Sequence, residues 1–195
     1  FWNDVQNIED EIHITDCEFI ENNGGKRTVE LSVEEDQNIT VSNCYFARNN
    51  TMDHSAGLSA RGNVRIVNSI FIENGQTSSS LIALTSTFSE YDSLIVDHCT
   101  FIANDHVYGL ILFQVGNPNF PFGPMEVRNC VFRGNEELGW YGNLIGGFPG
   151  GATPLVDNCV LDVSVCFYPM DDELTCGPDL IFDDAVFIDS AGGDF

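Results

Sequence analysis

The residues best suited to metal, redox or nucleophilic chemistry in this 195-residue chain are seven cysteines and four histidines. Five of the cysteines, Cys17, Cys44, Cys99, Cys130 and Cys159, recur at intervals of 27, 55, 31 and 29 residues. There is no Cys-x-x-Cys pair, and ligands delivered one at a time along a line do not build the tetrahedron of a zinc site, so no metal centre is expected. Cys166 and Cys176 stand apart with nine residues between them, and a disulfide closing that loop suits an oxidising compartment. His13, His54, His98 and His106 are scattered, with no two at a ligand spacing on one element. The acidic pair Asp171 and Asp172 falls between Cys166 and Cys176 and reads as a solvated loop. The aromatic residues Phe120, Phe122, Trp140 and Tyr141 lie in Pro- and Gly-rich connections. They either stack on sugar rings or cover a flank of the fold. Two Asn-x-Thr glycosylation sequons occur, at Asn38 and Asn49.

The cysteines take their meaning from the elements around them. An apolar-x-apolar-x-Asn-Cys-x-Phe-x-x-Asn pattern recurs with a period of 25 to 31 residues, as in Ile39-Thr40-Val41-Ser42-Asn43-Cys44-Tyr45-Phe46. The equivalent of Cys44 is Cys17, Ser69, Cys99, Cys130 or Cys159 in the other copies. Apolar residues alternate with period two, the mark of a strand, and the phase then slips by one residue at the Asn. A strand, a left-handed bend at Asn and a second short strand accommodate the slip and return Cys and Phe to the inside. A third strand appears between copies, as in Gly57-Leu58-Ser59-Ala60 and Leu81-Ile82-Ala83-Leu84. Three short strands per repeat predict an all-β right-handed parallel β-helix of about seven turns, with Phe1 to Ile8 as the first strand.

In a stack, equivalent side chains become columns. Asn43, Asn68, Asn129 and Asn158 form one expected amide ladder, with His98 standing in for an amide. Asn22, Asn49, Asn74, Asn104 and Asn135 form a second. The ladder cysteines behave as small buried hydrophobes and are expected to stay reduced. Residues 1–165 read as coils, and residues 166–195 as an irregular cap or junction leading into further sequence. An uncapped coil has unpaired edges, so the expected partners are more coils of the same protein or other subunits of an assembly.

The charge narrows the possibilities further. Seven Lys and Arg stand against 30 Asp and Glu, a formal net charge of −23, which repels phosphate backbones and anionic membranes. No nucleic-acid partner is expected on that ground. No apolar run is long enough to span a bilayer as a helix, so no membrane insertion is expected. The first residues lack a signal-peptide pattern, and the chain reads as a segment of something longer. Acidity can attract Ca²⁺, but no binding motif indicates it and no cofactor is expected.

The repeat with its Asn-Cys-x-Phe core resembles the right-handed β-helix proteins of the pectate-lyase-like superfamily over roughly residues 1 to 165. The stretch from Gly177 to Phe195 looks like the "DPLFVDPAAGDF" segment of bacterial surface β-helix proteins often called choice-of-anchor Q proteins. Val186 stands where that group usually has Leu after Pro, and the Ser-Pro-Ala-Ile-Asp motif that usually follows is not within these residues. The resemblance implies a secreted or cell-surface protein, with type IX export in Bacteroidota as its route. Enzymes of the superfamily use Asp clusters with an Arg or Lys base, or Asp pairs with His. No Asn-Thr-Asp, Gly-His-Gly or Arg-Ile-Lys motif occurs here, so no catalytic residue is expected. The expected function is a noncatalytic spacer, adhesin or assembly subunit. The alternative is a polysaccharide-active lyase or hydrolase, or a carbohydrate-binding module using Phe120, Phe122, Trp140 and Tyr141.

Overall fold

The computed structural model describes residues 11–24, 27–32, 37–51, 55–76, 80–86, 93–106, 110–115, 124–137, 145–147, 155–161 and 181–182. The expected first strand in Phe1 to Ile8 lies outside them. So do Phe120, Phe122, Trp140, Tyr141, Cys166, Cys176 and His54.

Each copy of the repeat contributes one strand to each of two sheets. The first sheet has six strands in the order Ile12–Thr15, Asn38–Ser42, Asn63–Val67, Leu94–Asp97, Met125–Arg128, Leu155–Asp157. The second has seven, starting with Glu18–Ile20, Tyr45–Ala47, Ile70–Ile72 and Thr100–Ile102 and continuing through Val131–Arg133, Val160–Leu161 and Ile181–Phe182. The third sheet has five strands: Arg27–Ser32, Ser55–Arg61, Ser80–Ser86, Ile111–Val115 and Ile145–Gly147. Neighbouring strands are parallel and pair equivalent residues, for example Ile39↔Val64 and Phe101↔Phe132. Parallel neighbours cannot be joined by a hairpin, and here the connection from one strand to the next passes through the other sheets. The result is an all-β parallel solenoid, with no helix among the described residues.

Two details depart from expectation. Besides the three sheets, Asn50–Thr51 pairs with Gly75–Gln76 and Asp105–His106 with Glu136–Glu137. A fourth, two-residue strand thus follows the second Asn in some coils, and it includes His106. Coil pairing also runs past the expected boundary at 165, because Ile181 and Phe182 pair with Val160 and Leu161. Phe182 therefore falls in register with the Phe column.

Both bends are left-handed. At the first, Asp16, Asn43, Asn68, His98, Asn129 and Asn158 have φ between 48 and 54°. Short polar side chains tolerate this region better than others do, which is why Asn dominates the position. The slip it introduces turns Cys and Phe inward. A second left-handed residue, absent from the sequence reading, precedes each Asn of the second column: Glu21, Arg48, Glu73, Ala103 and Gly134, at φ 51 to 58°.

The core fills the space between the sheets. Val29, Leu58, Ile82, Ile111 and Ile145 line one wall in register, while Val41, Ile66, Val96, Val127 and Val156 line another. Phe19, Phe46, Phe71, Phe101 and Phe132 stack face to face with centroids 4.7 to 5.0 Å apart and planes within 14°. The strand repeat of ~4.8 Å sets that spacing. Gly57 is required where a coil passes close to its neighbour, since a Cβ there would lie 2.8 Å from the Leu81 carbonyl oxygen.

Candidate functional site

The polar residues picked out by the repeat occupy three columns, and burial separates their roles. The column of Asn22, Asn49, Asn74, Asn104 and Asn135 is a continuous amide ladder whose three middle members are fully buried. Asn74 shows the pattern. Its Nδ2 donates to Asn104 Oδ1 and to the Phe46 carbonyl, each at 2.9 Å. Its Oδ1 accepts from the Asn49 backbone N–H at 3.1 Å and from Asn49 Nδ2 at 2.9 Å. The same bonds join Asn22 to Asn49 and Asn104 to Asn135. Every amide hydrogen and lone pair in the buried rungs is used, which offsets the desolvation of a polar row inside an apolar core.

The first column is broken and, apart from the half-buried Asn129, exposed. Asn43 Nδ2 donates to Asp16 Oδ1 at 3.1 Å, and Asn158 Nδ2 to Asn129 Oδ1. Between them the column changes partners. Asn129 Nδ2 donates to Asp97 Oδ1 at 2.8 Å, and His98 Nδ1 also lies 2.7 Å from Asp97 Oδ1. Arg128 Nε donates to the other oxygen of Asp97 at 3.2 Å, and its Nη1 reaches Glu126 Oε2 at 2.9 Å.

Asp97 is the one buried acidic residue among those described, at 7% exposure. Burial alone would raise its pKa, but the hydrogen bonds from Asn129 and Arg128, with the charges of Arg128 and His98, hold the carboxyl below its usual range. Sequence reasoning passed over this cluster. The available signal was the column Asp97↔Arg128↔Asp157, which becomes visible only when register is known. Chemically it braces a bend, and it orients the exposed imidazole of His98 through Nδ1. His13, by contrast, lies on the surface with its Nε2 3.1 Å from Glu11 Oε2.

The third column holds the thiols. Cys44, Cys99, Cys130 and Cys159 are buried and free, and Cys17 is half-buried and free. Each sulfur donates to the carbonyl two residues earlier, as from Cys130 to Arg128 at 3.0 Å and from Cys159 to Asp157 at 3.2 Å. Ser69 makes the equivalent bond to Val67 at 2.9 Å. Burial pushes the Cys44 and Cys130 thiols up. Among the described residues, no group of three or more His, Cys, Asp or Glu converges on a common metal position. Comparison with protein-family models, curated proteins and solved structures finds no match for the chain.

Proposed function

We propose that the chain is a noncatalytic structural module of a secreted or cell-surface bacterial protein, working as a rigid spacer, adhesin or assembly subunit. The observation that carries this reading is the continuity of two inward ladders. Five stacked Phe rings run from Phe19 to Phe132 and five linked amides from Asn22 to Asn135. Each inner rung touches the coils on both sides, so a bending load is shared along the stack rather than opening one interface. A finer reading belongs with it: a right-handed helix of about seven turns and three principal strands per turn, akin to the pectate-lyase-like superfamily and to choice-of-anchor Q proteins. The Asn-Cys-x-Phe repeat and the Gly177 to Phe195 segment support that kinship. A net charge of −23 suits a solvated extracellular surface and a partner other than nucleic acid. Further coils or neighbouring subunits are the natural partners of sheet edges, and a Cys166–Cys176 disulfide belongs to the same extracellular setting.

Labelling intact source cells with a membrane-impermeant reagent tests the location. The module should be labelled from outside. Recovery from the cytoplasm with all seven cysteines reduced would overturn the reading. Unfolding the purified protein without reductant should expose five free thiols, and seven would remove the disulfide. Incubation with acidic polysaccharides and Ca²⁺ should yield no unsaturated product by ultraviolet absorbance; a product would make the chain a lyase.

A further inference from the structure

Both Asn-x-Thr triplets lie in one coil, Asn38-Ile39-Thr40 in its first strand and Asn49-Asn50-Thr51 after its second bend. An N-linked sugar replaces one hydrogen of the Asn amide and projects from it. The amide must therefore have a hydrogen to give up and open space beyond it. The coil separates the two triplets on both counts. Asn49 is fully buried, and its two Nδ2 hydrogens go to the Phe19 carbonyl at 2.8 Å and to Asn74 Oδ1 at 2.9 Å. Thr51 is buried with it, at 1% exposure. A sugar on Asn49 would break the amide ladder and has no room, so a chain carrying it cannot close the coil. In the strand Asn38–Ser42, by contrast, Ile39 and Val41 enter the core while Asn38 and Thr40 stand on the outer face. Asn38 is exposed. Among the described residues its Nδ2 makes one contact, a long one of 3.5 Å to Glu11 Oε1 of the preceding coil. The sheet is joined here through backbone, where the Asn63 N–H donates to the Gln37 carbonyl at 3.1 Å. A sugar on Asn38 thus leaves both the sheet and the core intact.

We propose that Asn38 is an N-glycosylation site and that Asn49, which carries the same triplet, is not. The inference rests on the exported setting proposed above, because the triplet is read on secreted chains. The donor is a sugar carried on a lipid pyrophosphate. The bond from Asn38 Nδ2 to the anomeric carbon forms, and the bond from that carbon to the phosphate oxygen breaks. The lipid pyrophosphate leaves, and the amide proton passes to a base of the transferase. On the folded coil the attached saccharide lies over a polar strip at the start of the first sheet. Asn63 pairs with Asn38 there and accepts from Ser93 Oγ at 2.9 Å.

Trypsin separates the two triplets, since cleavage after Arg27, Arg48 and Arg61 puts Asn38 in residues 28–48 and Asn49 in residues 49–61. The test is mass spectrometry of the whole protein isolated from its source cells, digested and fragmented by electron transfer. Saccharide mass should appear on Asn38 and none on Asn49. Thr40→Ala, which leaves Asn38 and its contact in place, should remove that mass, and Thr40→Ser should keep it. Asn38→Gln should also remove it. An unmodified Asn38 in protein labelled from outside the cell overturns the proposal and leaves the location standing. An unmodified Asn38 in protein found in the cytoplasm overturns both, whereas a modified Asn38 found there sinks the location alone. A sugar on Asn49, or one that persists in Thr40→Ala, also overturns the proposal.

Discussion

Replacing Asn74 by Ala tests whether the second Asn column holds the coils together. The substitution removes four side-chain hydrogen bonds. It leaves three buried groups without those partners: the Phe46 carbonyl, the Asn49 backbone N–H and one Nδ2 hydrogen of Asn49. Asn104 Oδ1 is spared, because it still accepts the Asn74 backbone N–H at 3.0 Å. At about 1 to 1.5 kcal/mol for each stranded group, the cost is about 3 to 5 kcal/mol, at the upper end for a single substitution. Each ~1.4 kcal/mol is tenfold, so the folded-to-unfolded ratio should fall about a thousandfold. With a urea dependence of ~2 kcal/mol per M, the midpoint should drop by about 2 M at unchanged slope. The matched control is Asn158→Ala in the exposed column, where about 0.5 kcal/mol or less is at stake. Hydrogen exchange supplies the local readout: the Asn49 amide should lose its protection ahead of amides in the first sheet. Equal costs for the two substitutions, or an Asn49 amide that stays protected, would refute the claim that the buried amides bind coil to coil.

Other consequences follow from the remaining columns. Because the Asp97 carboxyl is held below its usual pKa, the unfolded chain binds more protons through this range. Its stabilisation should therefore be complete above the unfolded value near ~3.9 and be lost as pH falls through the folded value. Urea midpoints of wild type and Asp97→Asn measured down the acid limb should converge, and a gap that widens toward low pH would contradict the sign. Phe71 sits within the ring stack and is fully buried, so Phe71→Ala should cost about 3 to 5 kcal/mol by denaturant unfolding. Phe71→Leu should cost clearly less, since Leu161 fills the equivalent place. Ala103 holds a left-handed φ of 51° where the next coil has Gly134, so Ala103→Gly should raise stability by up to about 1 kcal/mol in the same assay. A loss would show that the second bend carries no strain.

The parallel coil, its inward Cys and Phe, and the bend at the first Asn were legible because each rests on a local rule repeated six times. Alternation marks a strand, a slipped phase demands a bend, and Asn is among the few residues that tolerate a left-handed φ. Equivalence between copies also carried Ser69 into the cysteine column, where its hydroxyl makes the bond that a thiol makes elsewhere. The two Asn columns could not be ranked in the same way. Both repeat with one period, yet the first Asn lies exposed at its bend, whereas the second points under the neighbouring coil and accepts that coil's backbone N–H. Only the stacked neighbour decides which amide is buried. The second bend was invisible for a related reason. Glu21, Arg48, Glu73 and Ala103 carry no preference for left-handed backbone, and the hydrogen bonds of the Asn that follows hold them there. Asp97 belongs to the same class. Nothing within its own strand distinguishes it from an exposed carboxylate, and it became a buried, ionised brace because a loop of chosen length brought Arg128 and Asn129 into register 31 and 32 residues later.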